Sequence, residues 1–112
     1  MAKKFFVGAL ILVALGALIS VPKLNAEPSA GNVKEAIMHA KEAVDQGKQG
    51  HAEALVTHAE KSVKNAELAG KNRHVVEGIK HLEEAIEIGK AGDAAKATTH
   101  AETGLAHLTE AK

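Results

Sequence analysis

Glu35 to Glu60 reads EAIMHAKEAVDQGKQGHAEALVTHAE, and its pattern decides the fold. Before Gly47-Lys48-Gln49-Gly50, apolar residues recur at Val33, Ala36, Ile37, Ala40, Ala43 and Val44. After it they recur at Ala52, Leu55, Val56, Ala59, Val63 and Ala66, with Ser62 on the same face. Steps of three and four residues describe one face of a helix, and no alternating pattern competes with them. The stretch therefore predicts two helices folded back on each other. The four residues from Gly47 to Gly50 act as the break, with both glycines read as helix stops.

The same arrangement returns 42 residues later. Val33/Val75, Glu35/Glu77, Ile37/Ile79, His39/His81, Glu42/Glu84, Gly47/Gly89, Lys48/Lys90 and Gly50/Gly92 coincide, as do Thr57-His58-Ala59-Glu60 and Thr99-His100-Ala101-Glu102. Loops, histidines and acids all match, which marks a duplicated unit. The expected fold is all-α: an up-down-up-down four-helix bundle made of two repeated helical hairpins. Asn32 is placed to cap the first helix with Glu35 three residues on. Gly70-Lys71-Asn72 ends the second helix, and Asp93 opens the last.

Seven histidines ride on this frame. With the core at heptad positions a, d and e, His39, His51, His58, His74, His81, His100 and His107 all fall at g. Chance would place a histidine there about one time in seven. Along one helix His51/His58, His74/His81 and His100/His107 stand about 10.5 Å apart, too far for one ion with metal to nitrogen bonds of ~2.0 Å. The partners must come from the facing helix. In an antiparallel hairpin with g facing g, residues equidistant from the turn lie level. That pairs His39 with His58, His81 with His100, His74 with His107, and Gln46 with His51. If e were turned inward instead, the level pairs would lie apart.

Carboxylates accompany the column. Glu35 and Glu42 bracket His39, Glu77 and Glu84 bracket His81, Glu77 follows His74 by three, and Glu110 follows His107 by three. These seven histidines and five acids are the candidate metal ligands. Imidazole with carboxylate suits Cu(II), Ni(II) or Zn(II). The chain has no cysteine, and Met38 is the one thioether outside the N-terminal segment, which disfavours Cu(I). Glu42 and Glu84 have an alternative role as salt-bridge partners on a solvated face, Glu84 with Lys80 for instance. Because imidazole ligates when neutral, binding should weaken below about pH 6.5.

The N-terminus reads as an export signal. Lys3 and Lys4 precede an apolar and Gly run from Phe5 to Ile19, and the segment closes at Ala26. Residues 1–26 are thus expected to be a cleaved signal peptide, 27–32 a leader, and 33–112 the metal-binding bundle. An uncleaved anchor is the alternative, since a span needs ~20 apolar residues. Removing Lys3, Lys4 and Lys23 from 14 basic residues leaves 11 against 14 acidic, a net charge of −3 with histidine neutral. Nucleic acid is therefore not an expected partner, and no stable membrane association is expected after cleavage. Both phenylalanines lie in that segment and Trp and Tyr are absent, so the core is aliphatic and small.

No enzyme is expected. H-E-x-x-H and C-x-x-C-H are absent, the di-iron Glu-x-x-His order is not met between Glu35 and Glu42, and Ser29 and Ser62 have no base placed for nucleophilic work.

Across about Val33 to Ala111, His-Ala-x-Glu-Ala at His39 and Thr-His-Ala-Glu at His58 and His100 resemble the small metal-binding protein family. These are exported bacterial four-helix bundles of histidine-bearing seven-residue repeats. The resemblance implies a periplasmic binder of divalent metals, copper foremost, acting as scavenger or buffer, with ligands at the seven histidines. The chain departs from a uniform repeat at Asn65, Ile88 and Asp93, where no ligand is carried over. A monomer is expected. The rival readings are a metallochaperone or metal sensor with a protein partner, which needs an exposed patch away from the histidines, and a helical interaction module that uses no metal.

Overall fold

A computed structural model describes residues 29–111. The expected signal peptide, residues 1–26, lies outside the described residues, as do 27, 28 and 112. Four helices follow in order: α1 (Ala30–Lys48), α2 (Ala52–Leu68), α3 (Arg73–Lys90) and α4 (Ala94–Glu110). Among the described residues there is no strand. Packing is most extensive within the hairpins α1–α2 and α3–α4. The two hairpins join through α2–α3 and α1–α4, which closes a four-helix bundle.

The hairpin turns are built alike. Gly50 and Gly92 take φ of 83° and 91°, a left-handed conformation that glycine adopts without steric cost. Around Gly50, its amide donates to Gly47 O at 3.0 Å and the His51 amide to Gln46 O at 2.9 Å. Around Gly92 the equivalent bonds run to Gly89 O at 2.9 Å and from Asp93 to Ile88 O at 3.3 Å. This pair of bonds is the Schellman motif, and it uses carbonyls that the ending helix leaves free. The residue after each glycine already stands at the N-cap position of the next helix, so each hairpin turns with no slack. Asp93 accepts from the Lys96 amide at 3.0 Å, while His51 makes no such side-chain cap.

Two local expectations need correction. Gly47 and Gly89 do not stop their helices. Both lie within them and are buried, because a Cβ at Gly47 would run into Thr98 Oγ1 and one at Gly89 would lie 2.7 Å from Val56 Cγ2. Only the second glycine of each loop provides the left-handed turn. Nor does Asn32 cap α1: the helix begins at Ala30 after Ser29, and the Asn32 amide donates to Ser29 Oγ at 3.0 Å and to Leu68 O at 3.4 Å. Ser29 N adds a bond to Ala69 O at 3.0 Å. The start of α1 is thereby tied to the end of α2, which outweighs a local cap.

The core is a seam of small residues punctuated by three leucines. Ala36, Ala40, Ala43, Ala59, Ala66, Ala85, Ala97 and Ala101 are fully buried, with Leu55, Leu82 and Leu108 as the largest enclosed side chains. Small seams allow close helix approach, and the closest differs between the repeats. At equivalent positions the first hairpin carries Ala36 and Ser62, where Ser62 Oγ donates to Ala36 O at 2.6 Å. The second carries Gly78 and Gly104. A Cβ on Gly78 would lie 2.9 Å from two atoms of Leu108, and one on Gly104 would lie 2.8 Å from Leu82 Cγ and 3.0 Å from Gly78 O. Two exposed ion pairs, Lys48–Glu102 at 3.7 Å and Lys90–Glu60 at 3.8 Å, relate the hairpins by the same repeat symmetry. Such pairs contribute little to stability.

Overpacking at the glycine crossing sets the expected stability effects. Gly78→Ala should destabilise by about 1–3 kcal/mol despite its gain in helix propensity. Gly31→Ala, where nothing lies within 4 Å of an added Cβ, should stabilise by less than about 1 kcal/mol. Urea unfolding of both variants checks the contrast.

Candidate metal centre

The turns described above fix the register, and the register brings heptad position g of one helix against g of the next. His39 from α1 and His58 from α2 stack with ring centroids 6.4 Å apart and an interplanar angle of 21°. Their repeat equivalents, His81 from α3 and His100 from α4, stand at 6.4 Å and 25°. In each pair one carboxylate oxygen sits between the rings. Glu42 Oε1 is 3.1 Å from Nδ1 of both His39 and His58, and Glu84 Oε1 is 3.2 Å from Nδ1 of both His81 and His100. Glu84 thus serves the two imidazoles, in place of the Lys80 alternative.

Three donors in each place lie within 4.8 Å of one another: His39, Glu42 and His58 in the first hairpin, and His81, Glu84 and His100 in the second. Metal bonds of ~2.0–2.2 Å to nitrogen and oxygen require donors roughly 3–3.5 Å apart, so small side-chain rotations suffice. The rings are partly enclosed, with side-chain exposures of 19% at His39 and 27% at His58. This enclosure has a cost in the absence of an ion. Nδ1 of His58, His81 and His107 is buried with no hydrogen-bond partner, although the first two lie near a carboxylate oxygen. Leaving such an atom unsatisfied costs about 1–3 kcal/mol. A ring nitrogen without a hydrogen-bond partner is one that a metal ion could take up once it is unprotonated.

The second hairpin continues its column. His74 and His107 stack at 6.3 Å and 29°, and Glu110 Oε1 lies 3.3 Å from His74 Nδ1. Glu110 therefore reaches across the hairpin to His74, and His74, His107 and Glu110 form a third group, more open than the others. A fourth group lies outside the level pairing. His81 and His107 lie 5.4 Å apart with rings nearly parallel at 3°, and Glu77 joins these two as a further set of donors. Spacing along α3 alone pairs Glu77 with His74 and His81. Pairing by equal distance from the turn finds level neighbours only, and His107 is a diagonal neighbour of His81. The sequence signal for it is Gly78 and Gly104, each three residues before one of these histidines, where an added Cβ would meet the facing helix.

Two candidate ligands fall outside all four groups. His51 is exposed and its Nδ1 pairs with Gln46 Oε1 at 2.9 Å, the expected level partner but not a carboxylate. Glu35 Oε1 stands 3.8 Å from His39 Nε2, within reach of the ring but apart from the Glu42 group. Asn32 and Asn65, which occupy the positions of His74 and His107, turn to other partners: Asn65 donates to Lys61 O at 3.1 Å.

A family model described as "Small metal-binding protein" matches residues 3–111. The chain belongs to the small metal-binding protein family. No curated protein matches it. The family is a metal-binding family rather than an enzyme family, and the four His/Glu groups supply donors of the kind that a metal-binding protein needs.

Loss of the shared carboxylate should be felt far more than loss of the outlying one. Glu42→Gln is expected to weaken ion binding at the first hairpin by at least about tenfold, Glu35→Gln by much less, and His51→Ala to leave the number of bound ions unchanged. Titration with Cu(II) under a fixed competing chelator measures all three.

Proposed function

We propose that this protein is an exported, periplasmic metal buffer that holds divalent ions between its helices, Cu(II) foremost and Ni(II) and Zn(II) less selectively. One observation carries the reading: in both hairpins a single carboxylate oxygen lies 3.1–3.2 Å from the Nδ1 atoms of two facing imidazoles. Two neutral imidazoles and a carboxylate make a borderline-hard donor set that favours Cu(II) over Zn(II) and Ni(II) on intrinsic affinity. The cysteine-free sequence gives Cu(I) no thiolate. The N-terminal pattern from Lys3 to Ala26 supports export.

Holding the ion, rather than acting with it, fits the remaining chemistry. The Ser62 hydroxyl is buried and committed to Ala36 O. Delivery to a dedicated protein is less favoured, because only three large apolar side chains are exposed among the described residues, Met38, Leu68 and Val76. A buffer that works as a monomer needs no docking face.

Calorimetric titration of the chain with Cu(II), Ni(II) and Zn(II), beside His39→Ala/His58→Ala, tests this. The double variant should bind one ion fewer and Cu(II) should displace the other two metals. An unchanged stoichiometry would sink the paired-site reading.

A further inference from the structure

The first hairpin offers one group of donors and the second offers three that overlap. His107 belongs with His74 and Glu110 and also with Glu77 and His81. His81 belongs with Glu77 and His107 and also with Glu84 and His100. A neutral imidazole has one lone pair for a metal, its other nitrogen carrying the proton. Each of these two histidines therefore serves one ion at a time, and the central group excludes both outer ones.

We propose that the second hairpin is one coupled binding unit with two filled states: a single ion on Glu77, His81 and His107, or two ions, one on His74, His107 and Glu110 and one on His81, Glu84 and His100. The inference rests on the metal-buffer reading and adds its order of filling. The centre fills first. Nδ1 of His107 is buried without a hydrogen-bond partner, its ring and that of His81 are the closest and most nearly parallel pair, and His81 itself is already 3.2 Å from Glu84 of an outer group. The outer groups begin with His74 and His100 already facing carboxylates, at 3.3 and 3.2 Å. Glu110 is also 63% exposed, so one outer site opens to solvent.

Arrival of a second ion then shifts the first by ligand exchange. It keeps His81 while giving up His107 and Glu77 for His100 and Glu84, and the freed His107 joins His74 and Glu110 around the newcomer. The same exchanges in reverse let an ion pass along the column with one imidazole bound throughout. The first hairpin has no such path, since Asn32, Asn65 and Leu68 stand where the second has His74, His107 and Glu110.

The test uses the chain carrying His39→Ala, His51→Ala and His58→Ala, titrated with Cu(II) and followed by electron paramagnetic resonance and visible absorption. The first equivalent should give one species whose signal falls away as the second equivalent binds and a different species replaces it. Adding Glu77→Gln should remove the first species and weaken the first step by at least about tenfold, with the two-ion spectrum unchanged. Spectra that grow in constant shape through two equivalents, or a first species indifferent to Glu77→Gln, would overturn the coupling. So would loss of all copper binding in the triple variant. Failure of the unsubstituted chain to bind any of the three metals would instead overturn the buffer reading itself.

Discussion

The left-handed glycine at each hairpin turn is the constraint on which the histidine face depends. Gly50 and Gly92 let the chain leave one helix and cap the next in a single residue. With no slack in the loop, the number of residues from turn to histidine sets which imidazoles lie level. A shift of one residue in either helix would rotate its histidine about 100° away from the facing ring. Glu42 and Glu84 then stand between the rings because they sit one turn beyond His39 and His81 on the same helical face. Register thus converts a spacing in sequence into donor geometry.

How close the rings come is decided by the seam beneath them. Alanine and glycine at the inner positions let the helices approach until backbone meets backbone, most tightly at Gly78 and Gly104. Close approach leaves little aliphatic area to bury, so the bundle is expected to be modest in stability, and it keeps three imidazole nitrogens buried without partners. An ion bound there would relieve that cost and so couple directly to the stability of the fold. Stability and function lean on the same interface.

Duplication made two hairpins, and divergence at a few positions made them unlike. Ala36 and Ser62 meet at the first crossing through a side-chain hydrogen bond, whereas Gly78 and Gly104 stand at the second, where an added Cβ would have no room. Asn32, Asn65 and Leu68 end the first column at one histidine pair, whereas His74, His107 and Glu110 extend the second to four rings. One half is an isolated site and the other a row.

Periodicity, the glycine-bearing breaks and the 42-residue repeat determined the four helices, their order and the level pairing of His39 with His58, His74 with His107, and His81 with His100, because these follow from distance along the chain. Local chemistry was equally legible where it was local, as in the Asp93 cap and the acids one turn from His39 and His81. Tertiary structure alone decided the rest. It turned g inward and not e, which depends on how both hairpins pack together. It buried Gly47 and Gly89 inside helices, since their role is to admit Thr98 and Val56 from neighbouring helices. It took Asn32 from capping to tying α1 to Leu68, sent Glu110 across to His74, and set His107 against His81. Each of these rests on the distance between helix axes and the direction of a side chain across the gap, quantities that a one-dimensional spacing does not carry.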